Sequence, residues 1–402
     1  MSEIGTAVAA LAAGELQEAE LRQHIDPLFS RVLQEAGGHI YLANHSLGRP
    51  LDRTAADVED GLSFWYRDLD RAWADWQAEM VLFRARVATL INAPGAHCIV
   101  PKASAGQGLR AVLNCHDAPL RVIATANEFN SIDLILKAYA ARGRIKINWI
   151  RSRADRRYRA DDLATALHAG ADLLVASMVF FDTGQLLTEI DAIAGAAKAY
   201  GVRVLVDLYH AAGALPVDVQ ALDIDFAIGG AYKYLRGGPG AAWLYVHPRH
   251  LEGLLRTLDT GWFATPEPFA FKRPERLSFA PGAEGWLEST PAVLPYYQAR
   301  AGVEFTLAMG VERLRAYSLI QQAILADRLA EQGIAILGAG LPRGAFVAIS
   351  TPKAEAAAAR LLEEGVVADA REGLLRLCPD VLNTSQELLE AAGRVAHVLR
   401  NV

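Results

Sequence analysis

The stretch Gly229-Gly230-Ala231-Tyr232-Lys233-Tyr234-Leu235-Arg236-Gly237-Gly238-Pro239-Gly240-Ala241-Ala242 sets one lysine between two tyrosines and closes in a glycine-rich turn. Just before it, Asp225–Gly229 reads as a short buried strand, and just after it Ala241–Val246 reads as another. Two extended runs this close leave no room for a helical crossover, so at least one antiparallel strand is expected. Working outward, further apolar runs recur at Arg203–Asp207, Asp172–Val179, Lys146–Ile150, Arg121–Thr125 and His97–Pro101. Helical patterns fill several of the gaps, among them Ser104–Asn114, Asp161–His168 and Asp191–Tyr200. Continuous apolar strands bounded by helices indicate a mainly parallel sheet covered on both faces. The expected fold is α/β, with a seven-stranded sheet flanked by helices.

The flanks extend this reading. Residues 7–36 carry helical spacing, and Ile40–Leu47 reads as an extended stretch closing in the turn Gly48-Arg49-Pro50. A long amphipathic stretch over about 55–92 bears Trp65, Trp73 and Trp76. Residues 251–289 are rich in Pro, Phe and Trp without clear periodicity and read as a loop region at the active site. Helices are expected over about 292–316 and 319–332, then a strand–helix–strand alternation to the C-terminus. The domain expectation is an arm, 1–55, contributing to a small domain; a large domain, 56–289; and a smaller α+β C-terminal domain, 290–402.

Composition narrows the class. A chain of 402 residues is too long for one small core, so two lobes are expected. Net charge is −6 and no basic tract occurs, which argues against a nucleic-acid partner. No run of eighteen apolar residues appears, so no membrane span is read. The N-terminal residues lack the charged and apolar regions of a secretory signal, and a cytoplasmic location is expected. Cys98, Cys115 and Cys378 are widely spaced and odd in number, which suggests free thiols rather than a disulfide or metal set.

Lys233 follows a buried strand at the end where open α/β sheets place ligands, and Val204–Asp207 ends a second strand with a carboxylate. A lysine and an aspartate on the C-terminal ends of neighbouring strands suit pyridoxal 5'-phosphate (PLP). The lysine forms a Schiff base and the aspartate keeps the pyridine nitrogen protonated, making the ring an electron sink. Bland readings stand beside this one. Most lysines are solvated, and strand-ending aspartates cap helices. Their joint presence favours the cofactor. His210, three residues past Asp207, either bonds the cofactor or packs. Ser104-Ala105-Gly106-Gln107-Gly108 follows a strand and opens a helix, so it can hold a phosphate, or Ser104 can be an ordinary N-cap. It matches neither the dinucleotide fingerprint nor a P-loop. Phe129, in Glu128-Phe129-Asn130-Ser131, either stacks on the pyridine ring or joins the core.

Two segments carry a resemblance: Val206-Asp207-Leu208-Tyr209-His210-Ala211-Ala212-Gly213-Ala214, and Tyr232-Lys233-Tyr234-Leu235-Arg236-Gly237-Gly238-Pro239-Gly240-Ala241. They closely resemble the kynureninase segments of the class V aminotransferase superfamily. Asn44-His45-Ser46-Leu47-Gly48, Asp182-Thr183-Gly184 and Gly261-Trp262-Phe263 add moderate matches. The resemblance implies a fold-type I architecture and a homodimer with shared active sites. It implies Lys233 as the Schiff-base lysine, Asp207 as partner of the pyridine nitrogen and Phe129 as the stacking ring. Ser104 and Ala105 would lie at the phosphate, and Tyr232 would bond it and donate a proton. Trp262 resembles the family's active-site tryptophan, and Thr290 a residue reaching the neighbouring subunit's phosphate. Arg376 would pair with the α-carboxylate of a small amino-acid substrate. The implied reaction passes through an external aldimine, with Cα deprotonation by Lys233 and cleavage of a β-ketone side chain or a related lysis. Transamination, C–S lysis and epimerisation are the alternatives within the class, and a catalytically silent PLP-fold binding protein is the alternative outside it.

The chain also departs from kynureninases. Arg236 stands where they carry asparagine, and Ala264-Thr265 follows Gly-Trp-Phe where they have Gly-His. Phe180-Phe181-Asp182 occupies the segment that reads Asn-Tyr-Arg in them. These positions predict an altered pocket for the aryl ketone, with Arg236 as the first sign of it.

Overall fold

The structure is a computed structural model that describes residues 2–252, 255–273 and 275–402. Its centre is a seven-stranded sheet. In chain order the strands are β1 (Ile99–Lys102), β2 (Leu120–Thr125), β3 (Ile145–Ile150), β4 (Leu173–Ser177), β5 (Arg203–Asp207), β6 (Phe226–Gly230) and β7 (Ala242–Val246). In space the order is β1-β7-β6-β5-β4-β2-β3. Strands β2 to β6 pair in parallel, and only β7 runs antiparallel to its neighbours β6 and β1. The short link between β6 and β7 therefore reverses the chain, as its length requires. Because β1 points the same way as β6, the C-terminal ends of β1, β2, β5 and β6 share one edge. Residues of β4, β6 and β7 are buried throughout, which explains why their sequences are apolar without alternation.

Helices Ala105–Leu113, Asn130–Ala141, Ala160–Leu167 and Ile190–Ala199 fill the gaps between the parallel strands. A second, three-stranded antiparallel sheet has the order β9-β10-β8, where β8 is Val347–Ser350, β9 Asp369–Arg371 and β10 Leu374–Leu377. Helices Ala354–Glu363 and Ser385–Asn401 build its core through Leu361, Leu388 and Val395, and Ile40 and Leu42 from the N-terminal segment enter that same core. Ile40 and Tyr41 pair in parallel with Val366 and Val367.

Several boundaries differ from expectation, each for a local reason. The extended stretch after residue 40 is only two residues long. The N-terminal helical stretch is interrupted around Gly14, whose φ is 99°, and Pro27 enforces a 3-10 turn over Asp26–Phe29. The Trp-bearing stretch divides at Leu69 into Arg53–Asp68 and Trp73–Leu90. The later pair divides at Gly310, whose φ is 80°, into Leu294–Met309 and Val311–Glu331, and not near residue 317. A left-handed glycine ends a helix without steric cost, and composition around residue 317 offers no such device.

Candidate active site

Asp207 ends β5 and Lys233 lies just past β6, the strand beside it, with Asp207 in register with Ile228. Both are buried, at 6% and 5% exposure, yet no carboxylate lies within hydrogen-bonding reach of the lysine among the described residues. Lys233 Nζ instead stands 2.5 Å from His210 Nε2. It also lies over the rings of Tyr209, Phe129 and Tyr232, at 5.1, 5.4 and 5.7 Å from their centroids. One Asp207 oxygen accepts the Tyr209 backbone N–H at 2.7 Å. The turn is held from outside by Gly48, whose N–H donates to Tyr232 O at 2.9 Å. A Cβ at Gly48 would run into the Lys233 carbonyl, so the Asn44–Gly48 segment needs its glycine for this close approach.

Burial governs the protonation states. It pushes the Lys233 amine down to about 7, against the pull of Asp207 in the opposite direction. Burial likewise pushes Asp207 up, opposed by the Tyr209 N–H and Lys233. His210 is held neutral, first by burial and then by the neighbouring cation. Behind the site, Glu128 is buried and pushed up to about 7 by desolvation. It accepts from Ser177 N and Ser177 Oγ at 2.8 and 2.7 Å and from the Thr125 hydroxyl, tying the end of β4 to that of β2. Glu128 is a site residue that the sequence marks only faintly. Its only signal was a carboxylate beside an aromatic at a strand end.

Lys233, Asp207, His210, Tyr232, Phe129, Ser104 and Ala105 all line one cavity of about 370 Å³. The structure thus brings together seven of the residues singled out by sequence, and adds Tyr209 and Arg110. Ser104 caps helix Ala105–Leu113, its hydroxyl accepting the Gln107 N–H at 3.2 Å. Phe129 stands edge-on to Phe181 at 5.5 Å. Of the two tyrosines beside Lys233, only Tyr232 faces this cavity; Tyr234 turns to a small separate one beside Asp380.

Three predicted site residues stand elsewhere. Arg376 is buried one ring away from the cavity: its guanidinium lies 5.7 Å from the centroid of Phe346, which packs against His210. It pairs with Asp369 at 2.7 Å and donates to Phe181 O, while its Nε has no partner. Trp262 is packed among Phe263, Phe269 and Phe271 and donates to Thr290 Oγ1 at 3.2 Å. Thr290 lines a second cavity, with Lys102 and Glu288. Within this chain neither reaches Lys233, because the loop carrying Trp262 packs onto Trp73.

Arg236 corrects the expectation attached to it. It forms a two-pronged pair with Asp380, at 2.5 and 2.7 Å, and lies against the T-shaped ring pair of Phe29 and Phe305. Its φ is 56°, and it is not among the residues that line the Lys233 cavity. The substitution that looked like a change of substrate is a tie between the turn, the N-terminal helices and the C-terminal segment. Phe180 and Phe181 likewise serve packing, Phe180 stacking on Tyr158 at 4.4 Å.

The residues present fit PLP. His210 pairs with Lys233 through Nε2, and its Nδ1 is buried without a partner among the described residues. The cavity offers an amine at one point, a carboxylate at a second and the first turn of a helix at a third. Comparison with known proteins agrees. The profile of the Aminotransferase class-V family matches residues 59–370. A kynureninase of Deinococcus radiodurans is 32% identical over 367 residues, covering 86% of this chain and 84% of that protein. A kynureninase of Salinispora tropica is 30% identical, covering 89% and 87%. Among solved structures, a C-DES mutant with glycine covalently linked to its PLP cofactor superposes with a TM-score of 0.82 at 20% identity, covering 92% of this chain and 98% of that one. The cysteine desulfurase CsdA of Escherichia coli superposes at 0.77 and 20% identity, covering 96% and 99%. At those identities the structural matches speak for the fold alone.

Proposed function

The chain belongs to the class-V aminotransferase family, and from that premise we propose that this PLP-dependent enzyme acts on a small amino acid by Cα deprotonation and side-chain cleavage of the kynureninase type. The carrying observation is the amine of Lys233, buried, shifted towards neutrality and joined to His210 in the cavity that holds Asp207. When bound, PLP supplies the electron sink that makes a substrate Cα–H acidic. Lys233 would hold it covalently, Asp207 would sit at its ring nitrogen, Phe129 against its ring, and Ser104 and Ala105 at its phosphate.

The remaining work falls to this chain's own side chains. A lysine with a depressed proton affinity takes the Cα proton near neutral pH, and neutral His210 keeps its Nζ oriented. Burial raises the proton affinity of Asp207, and the positive charge of a ring nitrogen placed against it would favour its carboxylate, so that Asp207 would hold a proton on that nitrogen. Arg376 receives the substrate carboxylate by giving up Asp369, exchanging one carboxylate for another. A persulfide route through a cysteine has no support among these residues. Burial lifts the Cys98, Cys115 and Cys378 thiols to about 11, 12 and 12, far from the thiolate form.

The test is to incubate holoenzyme with L-kynurenine, 3-hydroxykynurenine and a panel of amino acids. Anthranilate, or its hydroxylated form, appearing with alanine supports the proposal. Pyruvate with ammonia from other substrates, or turnover only with a keto acid, would replace it with elimination or transamination.

A further inference from the structure

Arg110 lies in the helix Ala105–Leu113, near its C-terminal end, where a cation is ordinarily favoured by the helix dipole. Its head group is not there. Helical side chains lean towards the N-terminus, and a Cβ built on Gly106 would stand 3.7 Å from Arg110 Nη1 and 3.8 Å from Ser104 Oγ. The guanidinium has therefore been carried back to the first turn, over the space that Gly106 leaves open. Half-buried there, it lines the same cavity as Lys233 and Asp207. Among the described residues no carboxylate lies within 4 Å of it and it donates to no protein acceptor.

That placement is electrostatically adverse as it stands. The first turn of a helix is already the positive end of its dipole, with N–H groups lacking intrahelical partners. A guanidinium beside it is repelled unless an anion lies between them. His210 lines this cavity as well, and its Nδ1 is buried without a partner among the described residues.

We infer that Arg110 anchors the phosphate of the cofactor, completing with the helix N-terminus and the Ser104 hydroxyl a site for its doubly charged end. This rests on the PLP assignment and goes beyond it, because it names the residue that sets affinity for the phosphorylated form. The other two anchoring points are already spoken for by chemistry. Asp207 suits a protonated ring nitrogen and Lys233 the carbonyl with the ring phenolate beside it, which leaves the phosphate, the more highly charged anionic part, for a guanidinium at the helix start. The planar fork also matches phosphate geometry.

The experiment titrates apoprotein with PLP and, separately, with pyridoxal, which has no phosphate, and follows the absorbance of the lysine adduct. It uses wild type, Arg110→Gln and Arg110→Lys, with thermal unfolding of each apoprotein as the control for folding. Loss of a charge-assisted contact should weaken PLP binding by Arg110→Gln about 10- to 100-fold, and pyridoxal binding by less than about twofold. Arg110→Lys, which keeps the charge but not the fork, should fall between. Arg110→Gln binding PLP as tightly as wild type overturns the inference, as does an equal loss for both ligands. Wild type forming no adduct with either ligand would overturn the PLP assignment itself, a distinct outcome.

Discussion

Lys233 and Arg236 lie on the same turn, both buried and both cationic in type, and the protein treats them in opposite ways. Arg236 spends two nitrogens on one carboxylate, packs against the paired rings of Phe29 and Phe305, and has Arg49 sharing Asp380 at 3.5 Å. Burial would raise the Asp380 carboxyl, but Arg236 and then Arg49 outweigh it and hold it at about 2. Lys233 has no such partner. Its one hydrogen bond is to a neutral imidazole, and burial leaves its amine with a low proton affinity. A buried charge fully compensated by a partner is structure. One left under-compensated has its reactivity shifted, at a cost in stability, and marks the chemistry.

The contrast can be broken most sharply at Lys233. Lys233→Ala should remove the absorbance of the bound cofactor adduct and lower turnover by about 10²–10⁴-fold or more, while leaving thermal unfolding close to wild type or slightly raised. A retained adduct band would move the chemistry elsewhere. At the other pole, Asp380→Ala strands Arg236 in the core and should cost about 3–5 kcal/mol in urea unfolding, with PLP affinity unchanged within about twofold. If it instead altered substrate KM at constant stability, Arg236 would belong to the active site after all.

Titration sharpens the same difference. Asp380 has a folded-state value below its ordinary 3.8, so its contribution is complete above that value and lost as pH falls towards about 2. Wild type should therefore lose roughly 2 kcal/mol relative to Asp380→Asn on acidification through this window, read as the difference between their urea midpoints. Lys233 has the opposite sense. Its folded-state value is lowered from 10.5 to about 7, so the unfolded chain binds the extra proton between those values and apoprotein stability rises with pH across them. Lys233→Met should abolish that rise between about pH 7 and 10.5. Equal alkaline slopes in the two apoproteins would show that Lys233 is not desolvated.

Much of this was legible in the chain. Most of the seven strands were marked by a short apolar run, because strands covered on both faces need no polar alternation, whereas the edge strand Ile145–Ile150 is partly exposed and alternates; Arg203–Asp207 agrees to the residue. Lys233 and Asp207 were legible because both sit at strand ends, where sequence position and spatial position coincide. Arg236 was misjudged for the converse reason. Its partner Asp380 is distant in sequence, and nothing within the turn says which way a left-handed arginine points. Trp262 was grouped with Lys233 by motif, yet packing onto Trp73 takes it elsewhere in this chain, and Thr290, which the resemblance assigns to the neighbouring subunit's phosphate, accepts its indole N–H.

Local chemistry was thus decided by sequence alone: the strand periodicity, the lysine after one strand, the aspartate ending its neighbour, and the serine opening a helix. These depend on backbone conformation within a few residues, which local composition specifies. Tertiary structure alone decided how each buried charge is compensated. Whether a cation meets a carboxylate, an imidazole or an open cavity depends on contacts between distant segments, and in a low-dielectric interior that contact separates a structural tie from a reactive group.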